Sequence, residues 1–265
     1  MMPTLKLIFI NTTASVAMLL SNPSFAQSFF NNSLPINRNA TLKVGANASF
    51  NQYAYDQDHE ITVMPQAFYD NNRVYIEGAE AGVYAYKDAK NEWRATLGYD
   101  SRHFDPANSE NTQLKGMNER DWSVMLGSSY MRITPYGGFK VHAETDLLGR
   151  NDGTTVKLAH LSRFKFADDK LTVYPEVGVQ WNNGDYNQYY YGVSADESRR
   201  TLVTAYQVDS SVNPYVNVSA SYAFHPKISG FVSQSLAFLS SEQKNSPLVN
   251  DDVESKTKIG FNYQF

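Results

Sequence analysis

The sequence predicts an all-β fold, a single-domain transmembrane antiparallel β-barrel of about twelve strands with ten as the alternative. Three observations carry that expectation. First, segments of about ten residues alternate apolar and polar side chains, the period expected of strands with lipid on one face and a polar lumen on the other. Second, the last segment, Ser255 to Phe265, places Ile259, Phe261, Tyr263 and Phe265 on one face and Lys258, Gly260, Asn262 and Gln264 on the other. Third, residues 1–26 have the layout of a secretory leader, which directs the remainder to the cell envelope.

The leader reading rests on Lys6 as a thin positive region, Leu7 to Leu20 as a largely apolar stretch, and Ser24-Phe25-Ala26 as a small-x-small cleavage site. Asn11, Thr12, Thr13 and Ser15 interrupt the stretch, so it falls short of the ~20 apolar residues a membrane helix needs. Cleavage leaves residues 27–265 as the barrel domain.

Six further segments alternate clearly. Leu42, Val44, Ala46, Ala48 and Phe50 share one face of the first. Trp93, Ala95, Leu97 and Tyr99 do so in the next, followed by Trp122, Val124, Leu126 and Tyr130. Phe139, Val141, Ala143, Thr145 and Leu147 oppose Lys140, His142, Glu144 and Asp146. Leu171, Val173, Val177, Val179 and Trp181 form another apolar row, and Val216, Val218, Ala220, Tyr222 and Phe224 the sixth. Residues 60–70, 73–86, 153–166 and 227–240 complete eleven segments with the closing strand. An even number is required when both ends lie in the periplasm, and 28–39 and 199–208 are the candidates for the missing strand. Pro65 and Pro175 predict bulges or local breaks. No stretch has helical periodicity. Short connections at 87–90, 167–170 and 225–227 read as periplasmic turns, and 105–119, 183–212 and 241–254 as extracellular loops.

Composition narrows the function classes. Removing residues 1–26 takes one lysine, which leaves 22 basic against 27 acidic side chains and a net charge of −5. That balance argues against a nucleic-acid partner. With no cysteine there is no disulfide, thiolate metal site or cysteine nucleophile. The 18 Tyr and 15 Phe suffice for interfacial aromatic girdles. A mean hydropathy of −0.45 argues against a helical membrane protein but fits a barrel, whose lumen face and loops are polar.

No catalytic, cofactor or metal site is expected. The histidines His59, His103, His142, His160 and His225 are scattered, whereas a Ser–His–acid hydrolase needs its members within hydrogen-bond reach. His142 sits among Lys140, Glu144 and Asp146 on a lumen face, where a structural polar network is expected. Asp185 and Asp251-Asp252 are acids that a rim protease or a bound cation could use, but acidic loops are ordinary and calcium prefers six to eight converging oxygens. The candidate partner or ligand loop carries Tyr186, Tyr189, Tyr190, Tyr191 and Gly192, and residues 183–200 are expected to form an ordered cap because such aromatic area has little use in a disordered loop. Tyr263 and Phe265 are the expected barrel-insertion signal.

Three stretches are more specific than alternation requires: Leu114-Lys115-Gly116-Met117-Asn118-Glu119-Arg120, then Tyr189-Tyr190-Tyr191-Gly192-Val193-Ser194 after Val177-Gly178-Val179-Gln180-Trp181, and Asn245-Ser246-Pro247-Leu248-Val249 before the closing strand. In this order they resemble the MipA/OmpV family of outer-membrane proteins. The resemblance implies a non-enzymatic scaffold in the outer-membrane lipid, with a lytic transglycosylase and a peptidoglycan synthase as partners, and it brings no catalytic motif. Two alternatives stand beside it. Lumen charges Lys43, Arg94, Lys140, Glu144, Lys157 and Glu176 could line a small-solute channel, and the long loops could serve adhesion or surface ligand capture.

Overall fold

A computed structural model describes residues 6–7, 34–56, 60–109 and 111–265. Apart from Lys6 and Leu7, the expected leader lies outside the described residues, as does the first half of the candidate strand 28–39. The barrel wall is a meander of β1 (Lys43–Gln52), β2 (Glu60–Asp70), β3 (Val74–Gly78), β4 (Glu80–Lys87), β5 (Asn91–Asp100), β6 (Ser123–Thr134) and β7 (Gly137–Asp146). It continues through β8 (Thr154–Leu161), β9 (Phe164–Phe166), β10 (Leu171–Asn182), β11 (Ser211–His225), β12 (Ile228–Phe238) and β13 (Val253–Gln264). Consecutive strands pair in antiparallel fashion except β8 and β9, which both pair with β10, and β13 pairs with β1 from Gln264↔Lys43 to Ser255↔Gln52, which closes the sheet. Because β8 and β9 hold one register against β10, with Leu161↔Glu176 and Phe164↔Val173, they are a single interrupted stave. The barrel therefore has twelve staves.

The twelfth stave is neither 28–39 nor 199–208. It lies inside 73–86, which folds as the tight hairpin β3–β4 rather than one strand. Gly78, at φ 67°, supplies the left-handed conformation of that turn. Residues 199–208 instead hold the end of a helix and a loop.

The two prolines behave differently from a simple bulge. Register runs unbroken through Pro65 against β1 and through Pro175 against β11. At Pro175 the break falls in the partner stave, at Ser162-Arg163, where Ser162 N–H still donates to the Pro175 carbonyl at 2.9 Å. At Pro65, β2 has a ladder neighbour in the barrel on one side only.

Side chains are distributed inside out. Trp93, Leu126, Phe139, Leu158, Val177, Ile259 and Phe261 are exposed on the outer face, Ile259 at 61%. Among the described residues no helix is long and apolar enough to cross a membrane, so the strands are the crossing elements. The buried apolar cluster sits at the long-loop end of the barrel, built from Tyr55, Phe104, Leu114, Tyr186, Tyr190, Tyr191, Val193 and Leu248 among others.

Candidate functional site

The long loops fold into a cap with short helices, which the absence of helical periodicity did not announce. α1 (Gly184–Tyr191) starts at Asn183, whose side chain accepts from Tyr186 N–H, and α2 (Ala195–Thr201) starts at Ser194 in a capping box with Glu197. Two turns are too short to display amphipathic periodicity, so the caps decide them. Gly192 ends α1 in extended backbone, and its role is close approach: a Cβ there would lie 2.4 Å from the Gln188 carbonyl oxygen.

The tyrosine run divides by position. Tyr186, Tyr190 and Tyr191 are buried in the cap core, while Tyr189 is partly exposed. Tyr190 packs edge-on against Tyr189 with centroids 4.9 Å apart, and Tyr191 lies 5.7 Å from Tyr55. Burial raises the pKa of the Tyr186, Tyr190 and Tyr191 phenols, which keeps them neutral donors. Tyr189 and Gly192 also border a surface pocket of about 430 Å³ with Arg120, Asp185 and Glu197.

Two arginines given no role in the sequence expectations, the buried Arg120 and the part-buried Arg102, tie the loops together. Arg102, just after β5, donates Nε–H to the Tyr186 hydroxyl at 3.2 Å and Nη1–H to the Tyr191 hydroxyl at 2.7 Å. Burial is the strongest influence on its guanidinium and opposes the charge, but Glu254 and the facing phenolic oxygens outweigh it and raise the pKa well above the usual arginine value. Arg120 Nη2 reaches Glu197 Oε1 at 2.8 Å and the Gly192 carbonyl at 3.2 Å. Loop 101–122 is thereby fastened to both α1 and α2. Loop 239–252 joins through Ser246, whose hydroxyl donates to the Tyr191 carbonyl at 2.6 Å.

Below the cap lies a lumen cavity of about 450 Å³ lined by charges of both signs, including Lys140, Glu144, Lys157, Glu176 and Lys258. Two other lumen charges named from sequence lie outside this lining: Arg94 pairs with Glu92 at 2.7 Å nearer the short-turn end, and Lys43 opens β1. The histidines do not converge. His103 contacts Glu60 at 2.6 Å, His142 lies 3.3 Å from Glu144, His160 lies 3.0 Å from the Tyr136 carbonyl oxygen, and His225 accepts from Lys227 N–H. His59 lies outside the described residues. Among the described residues no group of three or more acids and histidines could hold a metal ion. Asp185 and Asp252 are occupied by Asn183 and Lys244. Tyr263 and Phe265 pack edge to face at 5.2 Å on the outer surface of the closing strand.

A sheet closed by its own hydrogen bonds, apolar outside and polar within, defines an outer-membrane β-barrel. The chain belongs to the family described as MltA-interacting protein MipA, whose model matches residues 44–265. It is 30% identical to the MltA-interacting protein of Escherichia coli (strain K12) over 84% of this chain and 90% of that one. It is also 25% identical to the outer membrane protein YiaT of the same strain, over 88% of this chain and 95% of the other. Among solved structures it is similar to an outer membrane channel from Pseudomonas putida F1, at 8% identity over 88% of this chain and 97% of that chain, with a TM-score of 0.44.

Proposed function

We propose that this protein is a non-enzymatic scaffold of the outer membrane that holds a lytic transglycosylase, and with it a peptidoglycan synthase, beside the murein. The observation that carries the reading is its 30% identity, across most of both chains, with a protein named for its interaction with MltA. A mouth filled by a packed cap supports anchoring over passage of solutes. The scattered histidines support a role in binding rather than in chemistry. Enzymes that act on murein meet such a barrel from its short-turn end, where Tyr136 stands 85% exposed between β6 and β7.

Affinity capture of the tagged full chain from detergent-solubilised envelopes tests the scaffold. A co-purifying lytic transglycosylase is the expected result, and its absence at any detergent or salt setting removes the reading. Planar-bilayer conductance separates the channel alternative, since a scaffold with an intact cap stays silent.

A further inference from the structure

The barrel wall is incomplete on one side. β3 and β4 have five and eight residues, whereas the flanking β2 and β5 have eleven and ten. β2 pairs with β3 only over Ala67–Asp70, so residues 60–66 have a ladder on the β1 side and no barrel strand on the other. Along that edge only Lys6-Leu7, from the expected leader, runs in parallel beside Thr62 and Val63 among the described residues. The opening has a floor, the hairpin turn at Gly78-Ala79, where Tyr99 N–H donates to the Ala79 carbonyl at 3.2 Å. It has a lintel, the contact of His103 Nε2 with Glu60 Oε2 at 2.6 Å.

With the expected leader cleaved that edge is unpaired, and an unpaired strand edge is not tolerated against hydrocarbon unless it lines a polar cavity. The lumen cavity lies directly behind it, for Glu77, Ala79, Glu80, Gly98 and Tyr99 belong to its lining and also frame the opening. The carboxylates of that cavity are each engaged. Glu144 pairs with Lys157 at 3.4 Å and Glu77 with Arg94 at 3.1 Å, Glu80 and Glu176 accept tyrosine hydroxyls at 2.7 and 2.6 Å, and Asp100 accepts from the Tyr186 hydroxyl at 3.1 Å and the Arg102 N–H at 3.0 Å. Lys140 and Lys258 line the same cavity, and no carboxylate of the described residues pairs with either.

We propose that this cavity binds an amphiphile with an anionic head, a phosphate or carboxylate that meets Lys140 and Lys258, whose alkyl chain leaves through the opening between β2 and β5 into the bilayer. Val63 and Pro65 on one side and Leu97 on the other occupy the outward-facing rows beside that exit. This site is independent of the scaffold reading and stands or falls without it.

Binding of radiolabelled dodecyl phosphate to the full chain in phosphatidylcholine vesicles, against protein-free vesicles, tests it. Saturable binding is expected, displaced by unlabelled dodecyl phosphate but neither by inorganic phosphate nor by uncharged dodecyl maltoside. Lys140→Gln and Lys258→Gln should each weaken it about tenfold, as for loss of a hydrogen bond to a charged group. Ala79→Trp, at the floor of the opening, should block it while the heat-resistant migration of the folded barrel is kept. Equal displacement by inorganic phosphate would mark a free-anion site and overturn the proposal. So would parental affinity in both lysine variants or in Ala79→Trp, or the absence of saturable binding.

Discussion

Arg102 and Glu254 meet in a two-point contact, Nη1 to Oε1 at 2.6 Å and Nη2 to Oε2 at 2.5 Å, across 152 residues of sequence. Arg102 follows β5 and Glu254 opens β13, so the pair locks a loop to a strand on a different part of the ring. The same Arg102 Nη1 also donates to the Tyr191 hydroxyl, which brings α1 into the contact.

Removing one partner leaves the other charge buried, at a cost of about 3–5 kcal/mol. Glu254→Gln should therefore open the cap to protease within loop 183–210, with the barrel still resistant to heat in mild detergent. The double variant Arg102→Met/Glu254→Gln should recover part of the loss. Cleavage rates equal to the parent in the single variant would show that the pair does not hold the cap.

The tyrosine run should split in the same assay. Tyr190→Ala empties a fully buried ring site, for which about 3–5 kcal/mol is the usual cost of a large aromatic. Tyr189→Ala loses a partly exposed ring and an acceptor for Asp121 N–H, an effect of about 1 kcal/mol. A Tyr189 variant as sensitive as the Tyr190 variant contradicts this division of roles.

Glu197 makes the cap acid-sensitive. Burial, the largest influence, would raise its pKa, but the N–H groups of Ser194 and Asn118 and the Arg120 guanidinium together hold it below the ordinary glutamate value. A carboxyl with a depressed folded pKa contributes its full stabilisation above the unfolded value of about 4.3 and loses it as pH falls through the lower folded value. Pepsin cleavage of loop 183–210 should thus rise as pH is lowered below about 4. Glu197→Gln should be cut faster throughout and show less of that pH dependence, the remainder belonging to Glu254, whose pKa burial would raise but Arg102 also helps to lower. A parent whose cleavage follows only the protease's own pH profile refutes the link.

Phe265→Ser should slow assembly, because Phe265 and its neighbour Tyr263 present the terminal aromatic pair on the outer face of the closing strand. The measurement is the fraction of newly made chain that reaches the heat-resistant form in cells. Unchanged kinetics would remove these residues as an insertion signal.

Most of the wall was legible because most staves obey one rule, apolar toward lipid and polar toward the lumen, with Tyr75, Tyr84 and Met125 among the exceptions. The β3–β4 hairpin escaped because its turn takes so few residues that 73–86 reads as one strand. A signal was present: Val74 and Ile76 face outward at even positions, whereas Ala81 and Val83 do so at odd ones, and only a reversal around Gly78 changes that phase. The ordered tyrosine loop could be anticipated from its aromatic content. Its helices could not, since each depends on one capping side chain. Arg102 and Arg120 look like ordinary loop cations, for Glu254 and Glu197 lie 152 and 77 residues away and nothing local marks them as partners.

The cap has an implication for the order of folding. Its apolar cluster draws on loops from Ala54 to Leu248, and although Tyr186, Tyr189 and Tyr190 meet within one helix, the loops themselves come together only around the ring of strands. Water drives that clustering, whereas lipid offers no such drive to the strands. The cluster is therefore complete only when the ring has brought those loops together. A chain stalled with β13 unpaired would display a sticky, unassembled crown, the kind of surface by which envelope quality control can tell an unfinished barrel from a finished one.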